Sequence, residues 1–304
     1  MPTNTRGSVI LVTGASGKTG RAIISALAAH GQHVRGLVHR PEQVDAVRAS
    51  GVAETVVGDL MQPVDLLRAC QGVASIYHIC PNLHGDEVGV ARRLIDAAVA
   101  SGVPRFVYHS VLHPQTEAMP HHWQKLRVEE MLLTTSLAYT ILQPEAYMQN
   151  VLAYWPTIVD DGVYRIPYAL TTRLGMVDLA DVAEAAARVL TTPGHAGATY
   201  ELAGRDVLSP VEVAAKLSAA LGRPVRAEAV DREAWAEQAR RAGMAEYAVA
   251  TLEKMFAYYE RFGFWGNAFV LSQLLARAPA TFDDFLRRHV LGVGEGDARL
   301  RSQL

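Results

Sequence analysis

Residues 8–13, Ser-Val-Ile-Leu-Val-Thr, make a short apolar, β-branched run that stops at Gly14-Ala15-Ser16-Gly17-Lys18-Thr19-Gly20. Helical spacing follows at once, with Ile23, Ile24, Leu27 and Ala28 on one side. A strand, a glycine-rich turn and a helix in that order leave few ways to continue. The strand is apolar on both faces, so further strands and helices have to cover it. The glycines let the turn tighten, let a ligand phosphate approach the backbone, and let helix and strand pack closely. The helix start then offers free N–H groups and partial positive charge, a pairing that suits a pyrophosphate. Dinucleotide binding by Gly14, Ser16, Gly17, Lys18, Thr19 and Gly20 is therefore expected.

The continuation keeps the same rhythm. Strands are predicted over 33–38, 54–57, 74–79, 105–110 and 137–142, and helices over 41–49, 63–70, 88–100 and 120–134. Ser101-Gly102 and Pro104 stop the third of these helices. Strict alternation predicts an α/β fold, a Rossmann-type doubly wound parallel sheet. After Pro144 the pattern changes to a helix over 145–155, short strands over 163–166, 174–177 and 199–202, and helices over 178–190 and 209–221. Asp178 and Ser209 stand at N-cap positions. The expected division is a binding domain over 1–150, with 174–202 returning to it. Residues 151–173 and 203–291 then make a smaller, mainly helical substrate domain, and 292–304 a frayed, flexible tail.

Composition narrows the class. Lys plus Arg number 29 and Asp plus Glu 31, so the net charge is −2 and the basic surplus of a nucleic-acid binder is missing. No apolar run approaches a bilayer span, and the two cysteines make no disulfide framework. The expectation is a soluble cytoplasmic protein, monomer or homodimer, with a small-molecule substrate, no metal, no nucleic acid and no membrane. Of 22 aromatic residues only Tyr77, Phe106, Tyr108, Trp123 and Tyr139 precede residue 140. The first half thus has an aliphatic core, and the second has flat rings for a pocket or an interface.

Cofactor choice is read at the second strand's end. A carboxylate there would accept from a ribose 2′-hydroxyl, but the chain has Val38-His39-Arg40-Pro41. Arg40 either pairs with a 2′-phosphate or opens the next helix in solvent; the missing acid favours NADP(H) over NAD(H). Asp59, in Gly58-Asp59-Leu60, either reaches the adenine side or caps the next helix. Ligands in such sheets lie beyond the carboxyl ends of strands, which brings in Cys80, Pro81 and Asn82, then Ser110 and His113. On the helix over 120–134, His121 and His122 precede Lys125 by four and three residues. Lys125 is expected at the cofactor and either histidine as a proton donor, against the alternative of a solvated helix start.

These residues carry a resemblance. Gly14-x-x-Gly17-x-x-Gly20, Arg40, Gly58-Asp59-Leu60 and the lysine helix running into Val128-Glu129-Glu130 resemble the NmrA-like branch of atypical short-chain dehydrogenases/reductases. So do Thr140-Ile141-Leu142-Gln143-Pro144 with Tyr147-Met148-Gln149-Asn150, Val177-Asp178-Leu179-Ala180-Asp181-Val182-Ala183, and Ala276-Arg277-Ala278-Pro279-Ala280-Thr281-Phe282. The resemblance implies a Rossmann domain with a small substrate domain, NADP(H), and Gly14, Gly17, Gly20, Arg40, Asp59 and Lys125 at the cofactor; Leu60 and Pro144 are expected there too. Asn82 and His113, near the strand tips, and Tyr147, Asn150 and Trp155, past the sixth strand, are expected toward substrate. Typical members of the wider superfamily carry Tyr four residues before the lysine; here that residue is His121. Hydride transfer to a flat conjugated acceptor (quinone, enone or cationic aromatic) is the leading expectation. A tailoring reductase or redox-neutral isomerase, and a non-catalytic sensor acting on a partner protein, stand beside it.

Overall fold

The computed structural model describes residues 8–292. In chain order the first half runs β1 (Val9–Val12), α1 (Lys18–Ala29), β2 (His33–Val38), α2 (Val44–Arg48), β3 (Glu54–Val57), α3 (Pro63–Cys70), β4 (Val73–His78), α4 (Glu87–Ala100), β5 (Arg105–His109), α5 (Pro120–Leu133) and β6 (Ala138–Pro144). Then come α6 (Trp155–Asp161), β7 (Val163–Ile166), β8 (Leu174–Met176), α7 (Leu179–Thr191), β9 (Ala198–Leu202), β10 (Asp206–Leu208) and α8 (Pro210–Leu221). The described chain ends with β11 (Arg226–Ala229), α9 (Arg232–Arg241), α10 (Glu246–Phe262), α11 (Phe269–Leu275) and α12 (Phe282–Gly292).

One seven-stranded sheet has the order β3-β2-β1-β4-β5-β6-β9, and the pairings from β3 to β6 are parallel. The α/β, Rossmann-type fold expected from the alternation is the fold observed. Val12 stands opposite Gly36 on one side and Tyr77 on the other. Strand order thus reverses between β1 and β4, and a crevice opens at their carboxyl ends. Leu11, Ile76, Phe106 and Ile141 from the strands pack with Leu66, Leu94 and Val128 from α3, α4 and α5. All seven are essentially excluded from water, which fixes the strand tips.

The chain divides into two compact units. The first holds the described residues up to Glu117, His121–Gln143 and Val182–Tyr200; the second holds Ala118–Pro120, Pro144–Asp181 and the described residues from Glu201. The division after Gln143 replaces the expected one after residue 150. Within the stretch 174–202, Val182–Tyr200 belongs to the first unit and β9 lies in the large sheet. β8 instead pairs antiparallel with β10 in the second unit, where β11 also pairs parallel with β7. The helix expected over 145–155 is a 3₁₀ segment, Met148–Tyr154, and α6 begins only at Trp155. Pro156 explains the restart, because proline fits a first helical turn and not an interior. Asp178 and Ser209 do cap their helices, accepting from the Ala180 N–H (2.9 Å) and the Glu212 N–H (3.3 Å). The second core packs Met148, Ile158, Ile166, Val213, Leu217, Phe282 and Phe285. The tail expected over 292–304 lies, from residue 293, outside the described residues.

Candidate functional site

The glycine turn sits where the strand order reverses. Gly14 has φ +61°, and a Cβ there would stand 3.0 Å from the Ile79 carbonyl oxygen, beyond β4. A Cβ on Gly20 would fall 2.3 Å from the Gly14 oxygen, so only glycine lets α1 pack onto its own turn. Gly17 caps α1, donates its N–H to the Gly14 oxygen at 3.1 Å, and no acidic residue occupies the first turn. The Thr13 hydroxyl joins the tips of β1 and β4: it accepts the Ile79 N–H at 3.0 Å and lies 2.8 Å from His78 Nδ1. A glycine turn that leads into a helix start with no acidic residue in its first turn fits a diphosphate.

At the end of β2, Arg40 is exposed, and its guanidinium makes no hydrogen bond or ion pair among the described residues. Its backbone N–H is held by Gln43 Oε1 at 2.9 Å, which fixes the strand exit. Gly58 donates its N–H to the Val38 oxygen at 2.9 Å, and a Cβ on it would meet Asp65 Cβ at 3.0 Å and Leu37 Cδ1 at 3.3 Å. Asp59 spends one oxygen on the Met61 N–H (2.9 Å) and shapes the turn before α3; Leu60 beside it is half-buried. Past β4, Cys80 is buried and its thiol is pushed far up by burial, while Pro81 and Asn82 are exposed.

Lys125 is the centre of the other half. Its Nζ donates to Glu87 Oε1 at 2.6 Å and to the His109 carbonyl at 3.3 Å, at the carboxyl end of β5. Tyr108 donates its hydroxyl to the same Glu87 oxygen at 2.8 Å. Ser110 donates to Glu129, and the Gln143 amide reaches both Glu129 oxygens at 3.0 Å. Burial raises the Glu129 carboxyl, opposed by those hydrogen bonds and by Lys125. His113 has φ +51° and its carbonyl lies 3.2 Å from His122 Nδ1. His121 and His122 meet edge to face with ring centroids 4.3 Å apart.

Electrostatics decide what the histidines are. Burial is the largest cause of a fall to about 3 in His78 and His109, about 4 in His122 and about 2 in His121. The Lys125 charge pushes all four the same way. At neutral pH these rings are uncharged. The Tyr108 phenol is raised by burial and then by Glu87, so it stays protonated and committed to that carboxylate.

Four expected residues lie in the second unit. Pro144 closes β6. Tyr147 bridges Val177, half-buried Trp155 packs against the second core, and Asn150 is exposed. Sequence spacing missed Glu87, Tyr108, Glu129, Gln143 and Glu145. The last is buried, accepts the Gly204 and Gly266 N–H groups at 2.9 Å each, and is lifted to about 7 by burial against those two bonds. Only the acidic start of the fourth helix and the Glu-Glu pair 129–130 hinted at any of them. Among the described residues no His, Cys, Asp or Glu cluster is placed to hold a metal, and no helix is long and apolar enough to cross a membrane.

Known proteins resemble this chain over nearly its whole length. An NAD(P)H azoreductase from Xenophilus azovorans is 30% identical over 94% of this chain and 99% of its own. A (4-alkanoyl-5-oxo-2,5-dihydrofuran-3-yl)methyl phosphate reductase from Streptomyces griseus subsp. griseus is 33% identical over 92% and 98%. The NADPH-dependent quinone oxidoreductase QOR2 of Escherichia coli, solved with NADPH, superposes with a TM-score of 0.80 at 27% identity, covering 92% of this chain and 99% of its own. The NmrA-like family model matches residues 6–286, and the chain belongs to the NmrA-like family.

Proposed function

We propose that this protein is an NADP(H)-dependent oxidoreductase that passes hydride to a flat conjugated acceptor such as a quinone, an extended enone or a cationic aromatic. The observation that carries the reading is the turn at Gly14–Gly20: φ +61° at Gly14, close approach at Gly20 that only glycine allows, and a start of α1 with no acidic residue in its first turn. Arg40, without a partner among the described residues, suits the 2′-phosphate. An NAD(P)H azoreductase at 30% identity and a second reductase at 33%, each over nearly the whole chain, support the same reading.

A bound nicotinamide nucleotide would supply the hydride; the chain supplies place and surroundings. The Gly14–Gly20 amides would hold the diphosphate, and Lys125, on α5 with its ammonium at the carboxyl end of β5, would donate to the ribose. Asn82 and His113, beyond the ends of β4 and β5, are the first unit's candidates to orient the acceptor. His121 stands where an acidic phenol would be, and as a neutral ring it shapes and hydrogen-bonds rather than delivering an imidazolium proton. A quinone or a cation accepts hydride without a strong acid at that moment, which is why this acceptor class fits. Mixing purified protein with NADPH and naphthoquinones, enones and triarylmethane cations should consume NADPH. Saturable binding with no turnover across that panel would replace the enzyme by a sensor.

A further inference from the structure

Glu87 is the buried acid that the mechanism above leaves without a task. It opens α4 behind the N-cap Asp86, whose Oδ1 accepts the Gly89 N–H at 3.0 Å, and it is 2% exposed. Its Oε1 takes the Lys125 ammonium at 2.6 Å and the Tyr108 hydroxyl at 2.8 Å. Lys125 is itself mostly covered, lies 5.4 Å from the Tyr108 ring centre, and has a second anchor on the His109 carbonyl. A pair this dry holds its geometry, because separating it strands a charge away from water. The other groups around it add no positive charge: His78, His109, His121 and His122 are neutral.

We infer that Glu87 is a positioning residue, which sets the Lys125 ammonium at the carboxyl end of β5 as a hydrogen-bond donor and cancels its charge. The inference rests on the reading of Lys125 as a cofactor residue. Its consequence is selective. An oxidised nicotinamide ring is a cation and a reduced one is neutral, so an uncompensated lysine would repel only the oxidised nucleotide. With Glu87 in place, both forms are accommodated.

The test compares Kd for NADP⁺ and NADPH by calorimetry at pH 7, with circular dichroism to confirm folding. In Glu87→Gln the NADP⁺ constant should rise about tenfold or more, the size expected of one unit charge several ångströms away at an effective dielectric near 20. The NADPH constant should change by less than about threefold. Lys125→Met removes the opposite charge and should shift the ratio the other way, in favour of NADP⁺. A merely structural role for Glu87 moves both nucleotides equally in both variants, and that result overturns the inference. If Glu87→Gln does not fold, an unchanged ratio in Lys125→Met overturns it by itself. Wild-type protein that binds neither nucleotide brings down the parent reading as well. Wild-type binding with no swing in the ratio brings down only this one.

Discussion

At the scale of single residues, what the sequence displayed was backbone chemistry, and what it concealed was pairing. Gly14 and Gly20 could be picked out because the strand, the turn and the helix are contiguous, so local rules apply. Glu87 and Lys125 are 38 residues apart and meet only because β4 and β5 bring α4 and α5 together. Spacing along one chain cannot express that. Arg40 gives the sharpest residue-scale expectation. Arg40→Ala should raise the NADPH Kd about ten- to a hundredfold, the worth of a charge-assisted hydrogen bond, and leave NADH nearly unchanged. Equal losses for both nucleotides would place the guanidinium elsewhere than the 2′-phosphate. The histidines make a second expectation. With His121 held near 2 and His122 near 4, kcat should show no inflection around pH 6.5, where an ordinary imidazole titrates. A limb at that pH which His121→Ala or His122→Ala removes would restore an imidazolium acid.

At the scale of elements, the parallel half was legible because its strands are buried on both faces and its helices carry ordinary stops. β10 and β11 were not legible. Asp206–Leu208 is three residues long, and Arg226–Ala229 reads Arg-Ala-Glu-Ala, without a β-branched or aromatic residue. Both are strands because of the partner they meet, not because of their own preference. The same second unit is tied by Glu145, which no local pattern marked. Its carboxyl grips the turn at Gly266 and the end of β9 at Gly204, and passes so close to β8 that a Cβ on Gly175 would fall 2.0 Å from Oε1. Gly175→Ala should therefore destabilise the protein by about 1–3 kcal/mol, as overpacking does, read as a lower denaturation midpoint at unchanged m-value. A wild-type midpoint would mean that the carboxyl simply moves aside.

At the scale of the whole molecule, four buried histidines of the first unit and Glu145 of the second respond to pH in opposite senses. In the first unit His78, His109, His121 and His122 have folded-state values of about 2 to 4, below the unfolded value near 6.5. Below pH 6.5 the unfolded chain binds protons that the folded unit refuses. Stability from these rings is thus complete above pH 6.5 and is lost on acidification, by roughly 1.4 kcal/mol per pH unit for each ring that stays neutral. Glu145, in the second unit, works the other way. Its folded value of about 7 exceeds the ordinary 4.5, so its contribution is complete below pH 4.5 and is lost as pH rises through 7, about 3 kcal/mol in all. Amide hydrogen exchange, corrected for its intrinsic pH dependence, should find β4 and β5 losing protection first near pH 5. The segments around Gly175, Gly204 and Gly266 should lose it first near pH 8. Glu145→Gln, which cannot ionise, should flatten the loss between pH 4.5 and 7 and leave the loss carried by the histidines untouched. If that variant retains the loss over that range, some other group governs the second unit, and the carboxyl buried among its three glycines is no more than a brace.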